Sequence, residues 1–393
     1  MTPTASAPLP SGRRDPRIDV FRGIALVMIF VDHLPDNFYA FYMLWNFGWS
    51  DAAEGFVLMA GMSAGLAYGA YFRRPMRFWS GLTRVWRRAW TIYLVHILVT
   101  VGGMAATAAV ALWFANPALM EMNQIGYVLG DPTAFLFRMP LLMQFLDYAD
   151  ILPMYLALVF AAPVALILAW RWPWALLAGS VALWLLTAIT QIDLPSFTRE
   201  FGWFFNPLSW QLIFTIGILT GVALKDGRRL VPVRLRLQLL AGAIILAGIA
   251  AMRWPEVTEA LRMQVWRMGR AGWPDYVIGV EKTFLPLPRL LHALALAYLL
   301  SSFDVVRQFC TTVWMAPFAV MGKQSLPVFA LGSVLTFAMQ AIRAQTGISL
   351  WQDTLLLAIG ISAMFTLAAA RQFWPKDPPL TPVQQGVTVP PNG

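Results

Sequence analysis

Residues 17–35 read RIDVFRGIALVMIFVDHLP, an apolar run with charged side chains near both ends and Arg22 within it. A stretch of this length and character can cross a membrane as a helix. Stretches of the same kind recur along the chain, at residues 18–36, 52–72, 89–114, 151–170, 173–190, 205–224, 237–252, 287–302, 312–342 and 351–370. The ninth contains Gly322 and Pro327, which predicts a kinked or broken helix.

The composition supports a membrane environment. Of the 393 residues, 59% are hydrophobic and 12% are charged, and the mean hydropathy is +0.61. Soluble domains usually carry about 25% charged residues. The net charge of +9 would suggest nucleic acid in a soluble chain, but basic loops between apolar segments are the ordinary topology signal. We therefore expect no nucleic-acid partner. One Cys and three His predict neither a disulfide framework nor a metal site.

The distribution of Lys and Arg predicts the orientation. With the N-terminus inside, the cytoplasmic loops receive more than twice as many Lys and Arg as the opposite loops, as the positive-inside rule requires. The sequence thus predicts an all-α, polytopic bundle of about ten transmembrane helices with both termini cytoplasmic. Residues 1–16 and 373–393 are predicted to be flexible cytoplasmic tails of a membrane domain at 17–372. The outer loops 115–150 and 253–286 are predicted to hold short interfacial helices.

Ionisable side chains within a bilayer are unfavourable, so each is a candidate functional residue. Arg22 and His33 are separated by ten residues, which is about three helical turns and places both on nearly one face. The alternative for Arg22 is snorkelling to the inner interface. The alternative for Asp32 and His33 is a helix end in the headgroups.

A second acidic group begins the next helix, on the side of the membrane that His33 approaches. Asp51 and Glu54 are three positions apart and share a face. Helix capping explains Asp51 well and Glu54 less well. Because a short loop joins the two helices, His33, Asp51 and Glu54 are predicted to converge. A carboxylate would orient the imidazole, which would then accept a proton from a hydroxyl.

Two later segments place charges at similar depth. Arg289 and His292 share one face of the eighth helix, where an ordinary interhelical hydrogen bond is the alternative for His292. Lys323 and Ser325 flank the predicted break in the ninth helix, where irregular backbone is tolerated only if it is buried or lines a cavity. His96 is assigned a structural role in the cytoplasmic half of the third helix.

The basic segment at residues 73–88 is mainly a positive-inside signal with interleaved aromatic residues. Its functional interpretation is an electropositive mouth that attracts a phosphorylated donor such as a coenzyme A ester. The candidate phosphate-binding residues are Arg17, Arg84, Arg87 and Arg88.

Taken in order, five blocks of this sequence resemble the OpgC family, which belongs to or lies close to the integral-membrane acyltransferases with an Arg/Lys-x10-His signature. The resemblance runs from about residue 15 to residue 330. The blocks are Asp19-x-x-Arg22-Gly23, Arg22-x10-His33, Ser50-Asp51-Ala52-Ala53-Glu54-Gly55-Phe56, Pro288-Arg289-Leu290-Leu291-His292 and Gly322-Lys323-Gln324-Ser325-Leu326-Pro327.

The resemblance implies a multi-pass protein of the bacterial inner membrane. It implies transfer of a succinyl group from cytoplasmic succinyl-CoA to glucose hydroxyls of osmoregulated periplasmic glucans. His33 would be the catalytic base and Arg22 the signature arginine. Asp51, Glu54 and Asp32 would form the acidic part of the site, with the carboxylate that orients His33 left open.

The candidate substrate-binding residues are Arg22, Arg289, His292, Lys323 and Ser325. Lys323 or Arg289 would stabilise the oxyanion or hold the free carboxylate of a succinyl group. The acyl-CoA is a co-substrate, and no permanently bound cofactor is expected. The expected partners are the glucan acceptor, the acyl-CoA donor and membrane lipids.

Two other functions remain open at this point. A proton-coupled transporter or flippase would use the same buried charges as a relay or a substrate path. A sister O-acetyltransferase would modify lipopolysaccharide, peptidoglycan or another exported glycan. The sequence also leaves the oligomeric state open, including a homo-oligomer.

Overall fold

The computed structural model describes residues 15–197 and 202–374. Within this part the chain is helical and has no strands. The α-helices are α1 Pro16–Asp32, α2 Ala52–Phe72, α3 Phe78–Trp113, α4 Ile125–Gly130, α5 Pro132–Arg138, α6 Ile151–Arg171, α7 Pro173–Thr190, α8 Pro207–Lys225, α9 Leu235–Arg253, α10 Pro255–Arg270, α11 Asp275–Ile278, α12 Leu287–Ser302, α13 Asp304–Phe309, α14 Ala316–Lys323, α15 Ser325–Thr346 and α16 Leu350–Phe373. Nearly all of the two predicted tails lies outside the described residues.

Local sequence sets where several of these helices begin. Asp15 caps α1 by accepting a hydrogen bond from the backbone N–H of Arg17 at 3.0 Å, and Pro16 follows at the first helical position. Asn206 caps α8 in the same way, at 2.9 Å from the N–H of Leu208. A capping acceptor followed by proline satisfies or removes backbone donors that the first turn cannot pair.

Within residues 15–197 and 202–374, eight helices are long and apolar enough to cross a membrane. They are α2, α3, α6, α7, α8, α9, α15 and α16, with the 3₁₀ turn before α3 counted as part of that span. Two other predicted spans correspond to shorter helices, since α1 has 17 residues and α12 has 16. The prediction of a polytopic helical membrane protein is confirmed. The predicted short helices in the outer loops are present as α4, α5, α10 and α11.

The third span differs from the prediction in its length. It was placed at residues 89–114, whereas α3 begins at Phe78 and has 36 residues, about 54 Å of helix at 1.5 Å per residue. After Pro75 no further proline interrupts the basic segment, so the helix runs through the rest of it from Phe78. His96 lies near the middle of this longer helix.

The predicted break in the ninth span is present at Gln324, whose backbone leaves helical geometry at φ −103° and ψ 30°. It separates the short α14 from the long α15. Helix α14 packs closely along α1, so that a Cβ at Gly322 would overlap the carbonyl oxygen of Asp19. A Cβ at Gly23 would likewise overlap the carbonyl oxygen of Phe318. Two glycines thus let the α1 and α14 backbones touch.

We expect Gly322→Ala to destabilise the protein, because the added methyl group meets rigid backbone and forces α14 away from α1. Overpacking of this kind typically raises the free energy of the folded state by about 1–3 kcal/mol. The measurement is the melting temperature of the detergent-solubilised protein. Gly242→Ala in α9 is the matched control, since a Cβ there meets no atom within 4 Å. Equal melting temperatures for both variants would contradict the close-contact explanation.

Glycines also join α2 to α8. A Cβ at Gly61 would overlap the carbonyl oxygen of Phe214, and one at Gly217 would overlap that of Leu58. Small residues at such spacing allow membrane helices to pack backbone to backbone. The nearby Gly55 has open space around it, so close packing does not explain every glycine of α2.

The bundle has two ends with different charge. The basic end is where α1 begins and α2 ends, and there Arg73 forms a two-pronged pair with Asp226 at 2.6 and 2.8 Å. The distal end is where α1 ends and α2 begins, and it contains Asp51 and Glu54. The short helices α4, α5, α10 and α11 follow segments that reach this distal end. Under the predicted orientation, the basic end would face the cytoplasm.

Candidate functional site

The distal end holds a buried acidic pair at the start of α2. Asp51 caps this helix by accepting from the N–H of Ala53 at 2.8 Å. Glu54 reaches back to accept from the N–H of Asp51 at 2.9 Å, which completes a capping box. Glu54 has no exposed surface. Capping therefore involves Glu54 as directly as Asp51, which the sequence interpretation had not expected.

Two cations balance these carboxylates. Arg289 of α12 donates from Nε to Glu54 at 2.7 Å and from Nη2 to Asp51 at 3.2 Å. Lys282, in the loop before α12, forms an ion pair with Asp51. Because two positive and two negative charges meet, the cluster is formally neutral. Each buried charge has a partner, as a low-dielectric site requires.

The loop that carries Lys282 is held in place by tryptophans from neighbouring helices. Trp210 of α8 donates its indole N–H to the carbonyl oxygen of Lys282 at 3.0 Å. Trp184 of α7 donates to the carbonyl oxygen of Leu285, also at 3.0 Å. Lys282 is about one-third exposed, unlike the buried Arg289. It is thus the more accessible cation of the cluster.

His292 lies one turn after Arg289 on α12. Its Nδ1 and the hydroxyl of Ser50 are 2.7 Å apart, so one ring nitrogen has the interhelical partner that the sequence offered as the structural alternative. The other nitrogen, Nε2, lies against Gly48 and Gly248. It is buried and has no hydrogen-bond partner among the described residues. His292 joins the α1–α2 loop to α12 beside the ion cluster.

His33 lies immediately after α1, at the distal end. Its ring packs edge-on against Tyr148 with a centroid separation of 4.9 Å, and Gln340 of α15 donates to its backbone carbonyl. Asp51 and Lys282 are close enough for their charges to act on the ring. In the described part of the chain, no hydrogen bond joins the His33 ring to a carboxylate.

Tyr148 supports His33 from a strained loop. Its φ of 65° lies in the left-handed region, which is unfavourable for a bulky side chain and is often found at functional sites. Burial raises the pKa of the Tyr148 phenol above its ordinary value, and the negative charge of Asp147 adds to this effect. The phenol therefore remains protonated near neutral pH.

Asp32, the last residue of α1, faces the loop between α1 and α2. Its carboxylate accepts a hydrogen bond from the indole N–H of Trp45 at 3.1 Å. Asp32 thus pairs with an aromatic residue of the loop, whereas Asp51 and Glu54 pair with cations. The three carboxylates of the predicted acidic group have different surroundings.

Arg22 turns into the bundle and does not extend toward the basic end. Its Nη2 donates to the carbonyl oxygen of Met59 at 2.8 Å and to the hydroxyl of Ser63 at 2.7 Å, both near the middle of α2. It lines a cavity of about 140 Å³ together with Arg88 and Ser325. The cavity is bounded by α1, α2, α3, α6 and α15. Arg22 and Ser325, both predicted to bind substrate, therefore face one space.

A larger groove of about 950 Å³ runs between α1, α2, α8, α9 and α12. Arg17, Arg229 and Arg307 line it at the basic end, and Ser50 and Asp51 line it at the distal end. Most of its wall between these points is apolar. The groove thus connects a basic mouth with the ion cluster.

The four candidate phosphate-binding arginines do not form one site. Arg17 lines the large groove, where it forks onto Asp15 and donates to the carbonyl oxygen of Ser301 at 2.9 Å. Arg88 lines the smaller cavity. Arg84 lies over the ring of Tyr71 at 5.2 Å, and Arg87 is exposed on α3.

Lys323 is not close to the ion cluster. It ends α14 as an exposed residue, next to Gly322 and therefore level with Asp19 near the start of α1. His96 is fully buried, and within the part of the chain that the structure describes neither ring nitrogen has a hydrogen-bond partner. Among the described residues, no group of His, Cys, Asp and Glu side chains has the geometry of a metal site.

Sequence inspection missed three residues of this region, namely Lys282, Trp45 and Tyr148. Lys282 had been counted only as a topology signal in an outer loop. Its position just before the apolar α12 was an available clue, because that helix also carries Arg289. Nothing in the local sequence indicated that Tyr148 would contact His33, since 114 residues separate the two in the chain.

Comparison with known proteins identifies the family. No curated protein matches the chain at a significant level. A family model described as OpgC protein matches residues 14–376, which is nearly the whole chain and contains the ion cluster, His33, Arg22 and both cavities. The match extends on both sides of the five sequence blocks that carry the resemblance. The chain therefore belongs to the OpgC protein family.

Proposed function

We propose that this protein is a membrane acyltransferase of the bacterial inner membrane that succinylates osmoregulated periplasmic glucans. The donor is succinyl-CoA from the cytoplasm, used as a co-substrate. The acceptor is a glucose hydroxyl on the periplasmic side. The observation that carries the proposal is the large groove, because it connects a basic mouth to a buried cluster of charged residues beside His33.

The basic mouth suits a phosphorylated donor. Arg17, Arg229 and Arg307 line it, and guanidinium groups bind phosphate oxygens through charge-assisted hydrogen bonds. The apolar wall beyond them suits the neutral arm of coenzyme A. At the far end the thioester would reach the region of Asp51, where the chemistry takes place.

In the proposed reaction, His33 accepts the proton of a glucose hydroxyl while the oxygen attacks the thioester carbonyl. The carbon–sulfur bond then breaks, an ester forms, and the coenzyme A thiol takes up the proton. Lys282 is the cation best placed to meet the free carboxylate of the succinyl group, since it is partly exposed. Arg289 is held by two carboxylates, so its role is to position Asp51 and Glu54.

The direct test is mass spectrometry of periplasmic glucans from cells that carry or lack the gene. We expect succinyl substituents only when the gene is present, because the transfer requires this chain. Membranes that contain the protein should also move label from succinyl-CoA to added glucan. Acetyl substituents, or modification of a different glycan, would favour a sister O-acetyltransferase. Transport of an intact solute without chemical change would favour a transporter.

A further inference from the structure

The loop between α1 and α2 is unusually rich in aromatic residues. We call residues 37–49 the aromatic loop; they read NFYAFYMLWNFGW. Four of its rings are about half exposed: Phe38 at 53%, Phe41 at 54%, Tyr42 at 54% and Trp45 at 48%. These rings lie at the distal end, on the side that the charge distribution assigns to the periplasm.

The aromatic loop is fixed on several sides. Asn37 donates to the carbonyl oxygens of Val31 and Leu34 at 2.9 and 2.6 Å, which ties the loop to the end of α1. The hydroxyl of Tyr39 lies 2.8 Å from that of Thr354 on α16. The loop is thus anchored to both α1 and α16. This anchoring gives its exposed rings a defined arrangement.

Arg253 makes cation–π contacts with two rings of the loop. The guanidinium of Arg253, at the end of α9, lies 3.8 Å from the ring centre of Phe41 and 4.1 Å from that of Phe47. Tyr42 packs edge-on against Phe38 and Phe41 with centroid separations of 5.6 and 5.3 Å. Aromatic rings in such contact restrain one another. Phe38, Phe41 and Tyr42 therefore form one contiguous ring cluster, with Arg253 between Phe41 and Phe47.

The aromatic surface is continuous with the candidate site. Trp45 donates its indole N–H to the carboxylate of Asp32, and Asp32 is the neighbour of His33 in the chain. Asp36, between His33 and the loop, is exposed. Carboxylates therefore lie beside the rings. Since desolvating a carboxylate is unfavourable, the carboxylates beside the rings keep this surface in contact with water or with hydroxyl donors.

The geometry points to the aromatic loop as the acceptor-binding surface, on which Tyr42 and Trp45 stack against glucose rings of the glucan. This inference rests on the proposed function for the identity of the acceptor. A pyranose ring presents a flat face of C–H groups that is apolar, and a ring of hydroxyls at its edge. Aromatic faces cover the apolar C–H face of the sugar. Carboxylates such as Asp32 and Asp36 accept hydrogen bonds from its hydroxyl groups. A sugar held there lies next to His33.

The test measures binding and transfer separately. Purified protein in nanodiscs is titrated with an unsubstituted osmoregulated periplasmic glucan by calorimetry, and label transfer from succinyl-CoA is measured in parallel. We expect Tyr42→Ala and Trp45→Ala each to raise the Kd for glucan about tenfold or more, since aromatic anchors dominate such contacts. Tyr42→Phe, which keeps the ring, should bind nearly as well as the unmodified protein.

Trp351→Ala is the matched control. Trp351 is 74% exposed in the first turn of α16, near the same end of the bundle, but lies outside the aromatic loop. Its removal should change the Kd by less than about twofold.

Unchanged glucan binding in both loop variants would overturn the inference, as would a lack of glucan binding by the unmodified protein. Altered melting or lipid binding with unchanged glucan Kd would assign the loop to the membrane interface and equally overturn it. Failure of label transfer alongside normal, loop-dependent binding would instead contradict the proposed reaction.

Discussion

Replacement of His33 by alanine is expected to abolish succinyl transfer while leaving the protein folded in the membrane. A positioned general base contributes about 10²–10⁴-fold to a rate, and the described residues near His33 offer no second histidine in the same position. The side chain makes a ring contact with Tyr148, and the hydrogen bond from Gln340 goes to the backbone. Alanine retains that backbone bond, so the variant should still fold.

The measurement is the rate of label transfer from succinyl-CoA to added glucan in reconstituted membranes, at equal amounts of folded protein. His96→Leu is the matched control. The His96 ring nitrogens have no hydrogen-bond partner in the described residues. An apolar side chain of similar size therefore loses no such bond there, and most of the activity should remain. Transfer at the normal rate by His33→Ala would refute the assignment of His33 as the base.

Replacement of Arg289 by alanine is expected to destabilise the fold strongly. The variant would leave Asp51 and Glu54 with Lys282 as their only strong cationic partner in the cluster, although Glu54 is completely buried. Breaking a buried ion pair by removing one partner typically lowers the free energy of unfolding by about 3–5 kcal/mol. The same change separates α12 from α2, so acyl transfer should be lost as well.

Arg262→Ala is the control for Arg289→Ala, because it also removes an arginine that pairs with a glutamate. Arg262 lies 3.2 Å from Glu259 on α10, but the two side chains are 78% and 60% exposed. Exposed pairs contribute about 0–1 kcal/mol. Melting of the solubilised protein, followed by size-exclusion chromatography, compares the two variants. If Arg289→Ala melts at the temperature of Arg262→Ala, the ion cluster does not hold α12 against α2.

The sequence anticipated several helices closely, and it anticipated them for local reasons. The predicted and observed bounds of α2, α7 and α12 agree within a residue, because each is a mainly apolar stretch with a capping residue or a proline at or beside its start. The break at Gln324 was also foreseen from Gly322 and Pro327. The beginning of α3 was misplaced, since charge marks the edge of the membrane and not the end of a helix.

The candidate site was anticipated only in part. The proximity of Asp51 and Glu54 follows from their spacing on one helix, and Arg289 was recognised because a charge in an apolar segment is conspicuous. That Arg289 meets both carboxylates was not foreseen. The separation of Arg17 from Arg88 was not foreseen either. The sequence interpretation had assigned both arginines to one phosphate site, but they line different cavities.

By itself, the sequence determined the class of protein, the approximate spans, the OpgC resemblance and the residues whose charge requires a partner. These properties depend on composition and on spacing along one helix, both of which can be read locally. Only the tertiary structure decided which charge meets which, that Lys282 completes the cluster, and that the aromatic loop lies beside Asp32. Such contacts join residues far apart in the chain, and only helix packing brings those residues together.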